Sequence, residues 1–380
     1  MSAPALPPSL DFDSNQPLKG QIQVLKDAVV MSWAEGSARG ASRPGGVYTA
    51  SGEWSDVASL WRNPNHRIML PAHLPNEDEI ETLRGTWMFG GMMYGHFGHF
   101  LCESTSRLWG LAHSPLPLDG IIYIPKKKMT WPKRLLHGHE GFFDALGVSD
   151  LSFMLSNAPL RVEHLVIPPQ GFGMHAMIAG APEYRDFIHA NLGKNISPEG
   201  SKMLYISRSR LFVKRGSILG EAQLEQHLAA EGYEIFHPQE HPIEVQIARY
   251  KAAQKIISLD GSALHLAAFF ANKNSCIAIL NRRPGTLISD FKTQLEKFAD
   301  VTPLLINEVH RFWGINGKTQ HNELYSLMSF PCIQKNLKQN GFISGGDTWA
   351  NLNSVELAQA LADIDKRLEG TSALEEVFVR

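Results

Sequence analysis

Between Met203 and Leu280, short apolar runs alternate with amphipathic stretches in the order strand, helix, strand, helix, strand, helix, strand. The first run is Met203-Leu204-Tyr205-Ile206-Ser207 and the third is Lys255-Ile256-Ile257-Ser258-Leu259. Helical stretches fall at Glu221 to Ala230, Pro242 to Gln254 and Ala263 to Ala271. Short connections between such elements favour a parallel sheet with helical crossovers. The N-terminal half is less regular. There, β-type runs recur at Ala28 to Trp33, Arg67 to Leu70, Thr86 to Phe89, Ile121 to Ile124 and Val162 to Ile167, with helical periodicity from Tyr94 to Ala112 and from Pro132 to Leu146. Beyond Pro284 the pattern weakens until Asn353 to Leu368, where Val355, Leu357, Leu361 and Ile364 follow a helical stripe. The whole predicts an α/β protein.

At 380 residues the chain exceeds the size at which one core usually keeps growing, so two domains are expected. Residues 1–16, rich in Pro, Ser and Asp, read as a loose arm. The Pro- and Gly-rich stretch from Pro168 to Met177 marks a junction, placing a boundary near Gly180. That divides the chain into an N-terminal α/β domain (17–180), a C-terminal α/β domain (181–320) and a helical extension (321–380).

Charge narrows the partners. With 36 basic and 38 acidic side chains the net charge is -2, so no global field draws the chain to nucleic acid and any anion site must be local. Three well-separated cysteines, Cys102, Cys276 and Cys332, fit neither a disulfide framework nor a zinc cluster, which points to reduced thiols and the cytoplasm. No apolar segment reaches the ~18 residues of a membrane span, and the first residues lack a basic leader; peripheral membrane association stays open.

Candidate chemistry sits at the strand ends, where open α/β sheets bind ligands. The first strand runs into Arg208 and Arg210, with Arg215 following; guanidinium forks suit phosphate oxygens. The third strand turns at Asp260-Gly261-Ser262 into an apolar helix, where glycine permits close backbone approach and Ser262 can cap. His265 follows on that helix and either faces a ligand or packs. Neither a three-glycine dinucleotide fingerprint nor a Gly-Lys-Ser/Thr phosphate loop is present. Solvated surface arginines and an ordinary Ser-capped turn are the plain alternatives.

A second arm lies in the N-terminal half. On a regular helix His96, His99, Glu103 and Arg107 fall within about 80° of one another, beside an apolar face of Phe97, Phe100, Leu101, Leu108 and Leu111. The stripe faces a cleft or solvent. His96, His99 and Glu103 would also suit a metal, with His137 and His139 as further ligands, although such loose spacings recur by chance.

With both arms in view, the chain resembles glycosyltransferase family 61, formerly grouped with capsule and glycan biosynthesis proteins. The likeness rests on His99-Phe100-Leu101 with Arg107-Leu108, on Tyr205-Ile206-Ser207-Arg208 followed by Arg215, on Glu244-Val245-Gln246, and on Gly261-Ser262-Ala263-Leu264-His265. The resemblance implies a GT-B-like fold of two Rossmann-like domains and a nucleotide-sugar donor, expected to be a UDP-sugar, held mainly by the C-terminal domain. It implies inverting transfer to a glycan or glycolipid hydroxyl without a cofactor or essential metal. Arg208, Arg210, Arg215, Gly261, Ser262 and His265 are then the donor-binding candidates. His99 is the candidate base, with Glu103 orienting it or itself the base. Asp260 departs from the family, which usually has a histidine there; it caps the turn, contacts a sugar hydroxyl or serves as base. The Asn-Glu pair common after the second arginine is reduced to Gly220-Glu221. These departures motivate a noncatalytic glycan- or nucleotide-binding partner as one alternative, and the His96/His99/Glu103 set motivates a metal-dependent hydrolase as another.

Overall fold

The computed structural model describes residues 11–32, 42–126, 132–285, 288–368 and 373–378. The expected loose arm, residues 1–16, lies mostly outside them. The chain forms two compact units, Met1–Ile196 and Ser197–Arg380. The division comes later than Gly180 because the helix Pro182–Asn191 packs in the first unit. Its Tyr184 stacks on Phe172 and shares a 2.6 Å hydroxyl contact with Thr105, and its Glu183 accepts the backbone N–H groups of Leu18 and Lys19.

The first unit is built on a six-stranded mixed sheet. Its strands are β1 (Gln23–Met31), β2 (Gly46–Tyr48), β3 (Glu81–Met93), β4 (Gly120–Pro125), β5 (Ser152–Leu155) and β6 (Leu160–Ile167), in the order β2-β1-β6-β3-β4-β5. β6, β3, β4 and β5 run parallel, while β1 is antiparallel to both its neighbours. All seven residues of β3 from Trp87 to Met93 are buried, as expected for a central strand covered on both faces. Ala28, Val30, Phe89, Ile122, Val162 and Leu165 belong to the core packed on this sheet. At Phe89 to Gly91 the register of β3 against β4 shifts, and a Cβ at Gly90 would meet the Tyr123 ring at 2.6 Å. This bulge re-aims the end of β3 that delivers Tyr94.

The second unit carries the element series read from Met203 to Leu280. Its parallel strands are β7 (Met203–Ile206), β8 (Glu234–Phe236), β9 (Lys255–Leu259), β10 (Cys276–Leu280) and β11 (Leu304–Ile306), in the order β8-β7-β9-β10-β11. Ile256, Ile257, Ser258 and Leu259 are buried in succession, the pattern of a strand enclosed between helical layers. Residues 321–380 are less helical than expected. They hold the helices Phe330–Gln339 and Ser354–Arg367, but also strands. β12 (Val309–Ile315) pairs antiparallel with β13 (Tyr325–Met328) and β14 (Leu374–Val377). β12 finds β14 across some sixty residues, so no local hairpin pattern announces the pair.

Arg107 of the expected polar stripe belongs to the core of the first unit instead. Arg107 is fully buried, and its guanidinium donates to the carbonyls of Val57 (2.9 Å), Ser59 (2.6 Å) and Pro168. Burial lowers its pKa to about 9. It ties three separate loops together. Arg107→Met should therefore lower the unfolding free energy by about 3 kcal/mol, because three buried carbonyls lose a charged donor. Chemical denaturation measures this, and a loss under about 1 kcal/mol would show that the carbonyls find other donors.

Candidate functional site

In the second unit the strand order reverses between β7 and β9: the chain goes first to β8 on one side, then to β9, β10 and β11 on the other. Ligands of open α/β sheets bind outside the carboxyl ends of the strands at such a reversal. Arg208 follows β7 and Gly261 follows β9, so both flank it. They touch. A Cβ at residue 261 would lie 2.5 Å from Nη1 of Arg208, which explains the glycine. Arg208 donates through Nη2 to the carbonyls of Arg215 (3.1 Å) and Gly216 (3.2 Å). Its own N–H donates to Glu221 Oε1 at 2.7 Å.

Glu221 is buried and also accepts from the hydroxyls of Tyr205, Ser207 and Ser217. Burial raises its pKa, and the Ser217 and Arg208 hydrogen bonds only partly offset that. Further along the loop, Tyr325 Oη donates to Val213 O (2.6 Å) and Arg367 Nη2 to Leu211 O (2.8 Å). The C-terminal segment thus clamps the arginine loop.

The other candidates scatter. Arg210 and Arg215 are exposed, and Arg210 pairs with Glu240 at 3.0 Å, so Arg208 and Arg210 do not share partners. Ser262 precedes the short helix Ala263–Ala268 without a side-chain cap bond. His265 is 3% exposed, with Nδ1 2.7 Å from Gln294 Oε1 and its ring against Phe291. Asp260 is buried at 1%, with Oδ1 accepting the Arg282 N–H at 2.7 Å and Oδ2 bonded by Arg283 Nε. Burial would raise its carboxyl, but Arg282 and Arg283 outweigh it and hold the group below its ordinary value.

In the first unit the expected continuous helix from Tyr94 to Ala112 is broken. A short α-turn, Phe97–His99, runs into a π-helical turn, Phe100–Ser104, and a 3-10 turn, Leu108–Ala112. π-Turns recur at functional sites. Thr105 N–H reaches back to Phe100 O at 3.2 Å, and the altered winding takes Arg107 off the stripe into the core. His99 and Glu103 stay together, with Nδ1 2.6 Å from Glu103 Oε2.

Glu103 is fully buried, and Arg62 forks onto it, Nε to Oε1 at 2.7 Å and Nη2 to Oε2 at 3.0 Å. Burial alone would raise the Glu103 carboxyl, yet the His99 bond and the Arg62 fork hold it below its usual value. The His99 side chain is 29% exposed and stacks on Tyr94, 5.1 Å between centroids. Arg62 sits in the short ribbon Trp61–Asn63 paired with His66–Arg67, and Gln170 clamps that ribbon by bonding both Trp61 N–H (2.7 Å) and Trp61 O (2.9 Å).

The remaining histidines serve locally. His96 meets the His99 ring edge-on at 5.3 Å. His139 stacks on Phe100 and bonds Tyr94 O at 2.9 Å, while exposed His137 pairs with Glu140. Among the described residues no three His, Cys, Asp or Glu side chains converge as a metal-binding group. The sequence reading missed Arg62, Tyr94, Arg282 and Arg283. Arg282 and Arg283 directly follow a strand end, the same signal that singled out Arg208; Arg62 carries no local signal.

Glu103 has a testable acid signature. Because its folded pKa is depressed, its contribution is complete above the unfolded value of about 4.3 and is lost as pH falls through the lower folded value. The stability gap between the wild type and Glu103→Gln should thus narrow below about pH 4 in thermal melts followed across pH. A gap independent of pH would show that the carboxylate is not held by charge.

The model of the family described as Glycosyltransferase 61 matches residues 97–278. No curated protein matches the chain. The matched segment includes His99, Glu103, Arg208, Arg215, Asp260, Gly261 and Ser262, and excludes Arg62, Arg282 and Arg283. No helix among the described residues is long and apolar enough to cross a membrane. The match runs from the His99–Glu103 turn to the fourth strand of the parallel sheet; over this segment the chain is similar to glycosyltransferase family 61, which supports glycosyltransferase activity.

Proposed function

We propose that the chain transfers a sugar from UDP to a hydroxyl of a glycan or glycolipid acceptor, with inversion and without an essential metal, in the cytoplasm or at a membrane surface facing it. The donor candidates lie in the second unit and the candidate base in the first. The observation that carries it is Arg208 lying over Gly261 at the strand reversal. A fixed guanidinium there would take the charge that develops on the leaving diphosphate, the part a metal plays elsewhere. Arg215, Ser262 and the backbone around Gly261 would complete the donor contacts.

His99 is the base in this reading. Glu103 is buried with both oxygens engaged, so an acceptor hydroxyl has no access to it, whereas His99 is partly exposed. With Nδ1–H donating to Glu103, Nε2 is the acceptor nitrogen of the neutral ring. It takes the acceptor hydroxyl's proton as that oxygen bonds the anomeric carbon. The bond from the anomeric carbon to the diphosphate oxygen breaks, and its electron pair leaves with UDP. Glu103, kept anionic by Arg62, stabilises the imidazolium that forms.

Calorimetry should show UDP binding that Arg208→Ala weakens about tenfold or more, the scale of one charge-assisted phosphate contact. His99→Ala should keep UDP affinity while donor turnover falls by roughly 10²- to 10⁴-fold. Turnover should persist in EDTA. A wild-type protein that binds no nucleoside diphosphate, or turnover abolished by EDTA and restored by one divalent ion, would sink the proposal.

A further inference from the structure

The β9 end gathers more positive charge than the sequence suggested. Arg208 reaches it from β7, and Arg282 and Arg283 reach it from beyond β10, all around Asp260. Neighbouring strands lie about 4.8 Å apart, so the ends of β7 and β10 are separated by about 10 Å. That is a span a diphosphate and two arginine side chains bridge readily. Against the three guanidiniums stand two carboxylates, Asp260 and Glu221, and burial weakens the second as an anion. An uncompensated buried cation is costly unless an anion offsets it.

Two buried donors also want acceptors. Nη1 of Arg282, a residue 2% exposed, and Nε of Arg208 have no hydrogen-bond partner among the described residues. Buried donors on charged groups are nearly always satisfied, and phosphate oxygens are the acceptors that guanidinium forks fit. The Arg283 side chain is 13% exposed, so the arm reaches the surface at the site.

We propose that Arg282 and Arg283 form a second diphosphate-binding arm beside Arg208, and that Asp260 is the positioning residue holding that arm. The inference rests on the assignment of the donor to the second unit. Asp260 is neither a base nor a source of repulsion here. Its two oxygens fix the Arg282 backbone and the Arg283 Nε, so the forks are oriented before the ligand arrives and less rotamer freedom is lost on binding. Removing the negative charge would loosen the arm rather than relieve the phosphate.

Titration calorimetry of the full chain with UDP and with UMP separates the possibilities, with thermal melts as the folding control. Asp260→Asn should weaken UDP about tenfold or more but UMP by less than about threefold, since the arm meets the diphosphate. A general loss of structure would weaken both alike. Arg283→Gln should repeat the pattern and carries the test alone if Asp260→Asn fails to fold. Unchanged or tighter UDP binding in Asp260→Asn, or UDP affinity within about twofold of wild type in Arg283→Gln, would overturn the inference. A wild type that binds neither nucleotide would instead remove the donor assignment on which it rests.

Discussion

The Arg208 guanidinium lies so close to the Gly261 backbone that a side chain at 261 would sit 2.5 Å from it. The surroundings of the second unit serve that contact. Glu221 holds the Arg208 N–H, and the carbonyls of Arg215 and Gly216 hold its Nη2. Tyr325 and Arg367, from the C-terminal segment, tie down the loop between them. A flexible arginine becomes a fixed donor because Glu221 and two loop carbonyls hold it and the C-terminal segment ties that loop down. Preorganisation of that kind is what electrostatic stabilisation of a leaving group requires.

The first unit solves a related problem with the opposite charge. Glu103 is an anion at zero exposure, a costly arrangement unless paired and hydrogen-bonded. Arg62 and His99 supply both conditions, and in doing so orient His99, the most exposed of the three. Arg107, by contrast, donates through Nη1 and Nη2 to backbone carbonyls and acts as a rivet. Two arginines near one turn thus have different work, and only their partners tell them apart.

Much of the second unit was legible from the chain alone, because consecutive βαβ units write each strand and its crossover in adjacent residues. β7, β9 and β10 and the helices between them fall where periodicity put them. The first unit was legible only in its longer strands. β2 and β5 are three and four residues long and leave no periodic signal, and the helix from Tyr94 was read with a uniform turn that the π-segment breaks. Within the sites, the His99–Glu103 pair was visible because its members lie four residues apart. The Arg62 fork, 41 residues away, was not.

The sequence by itself determined the parallel α/β frame, the arginines and glycine at its strand ends and the likeness to glycosyltransferase family 61, since each depends on residues close in the chain. Tertiary structure alone decided which charges meet. Asp260 stood in sequence beside an expected phosphate site as an unexplained anion; the fold surrounds it with Arg282 and Arg283, more than twenty residues on, and makes it part of a positive cluster. Coulomb energy depends on distance and burial, and neither is written in sequence order.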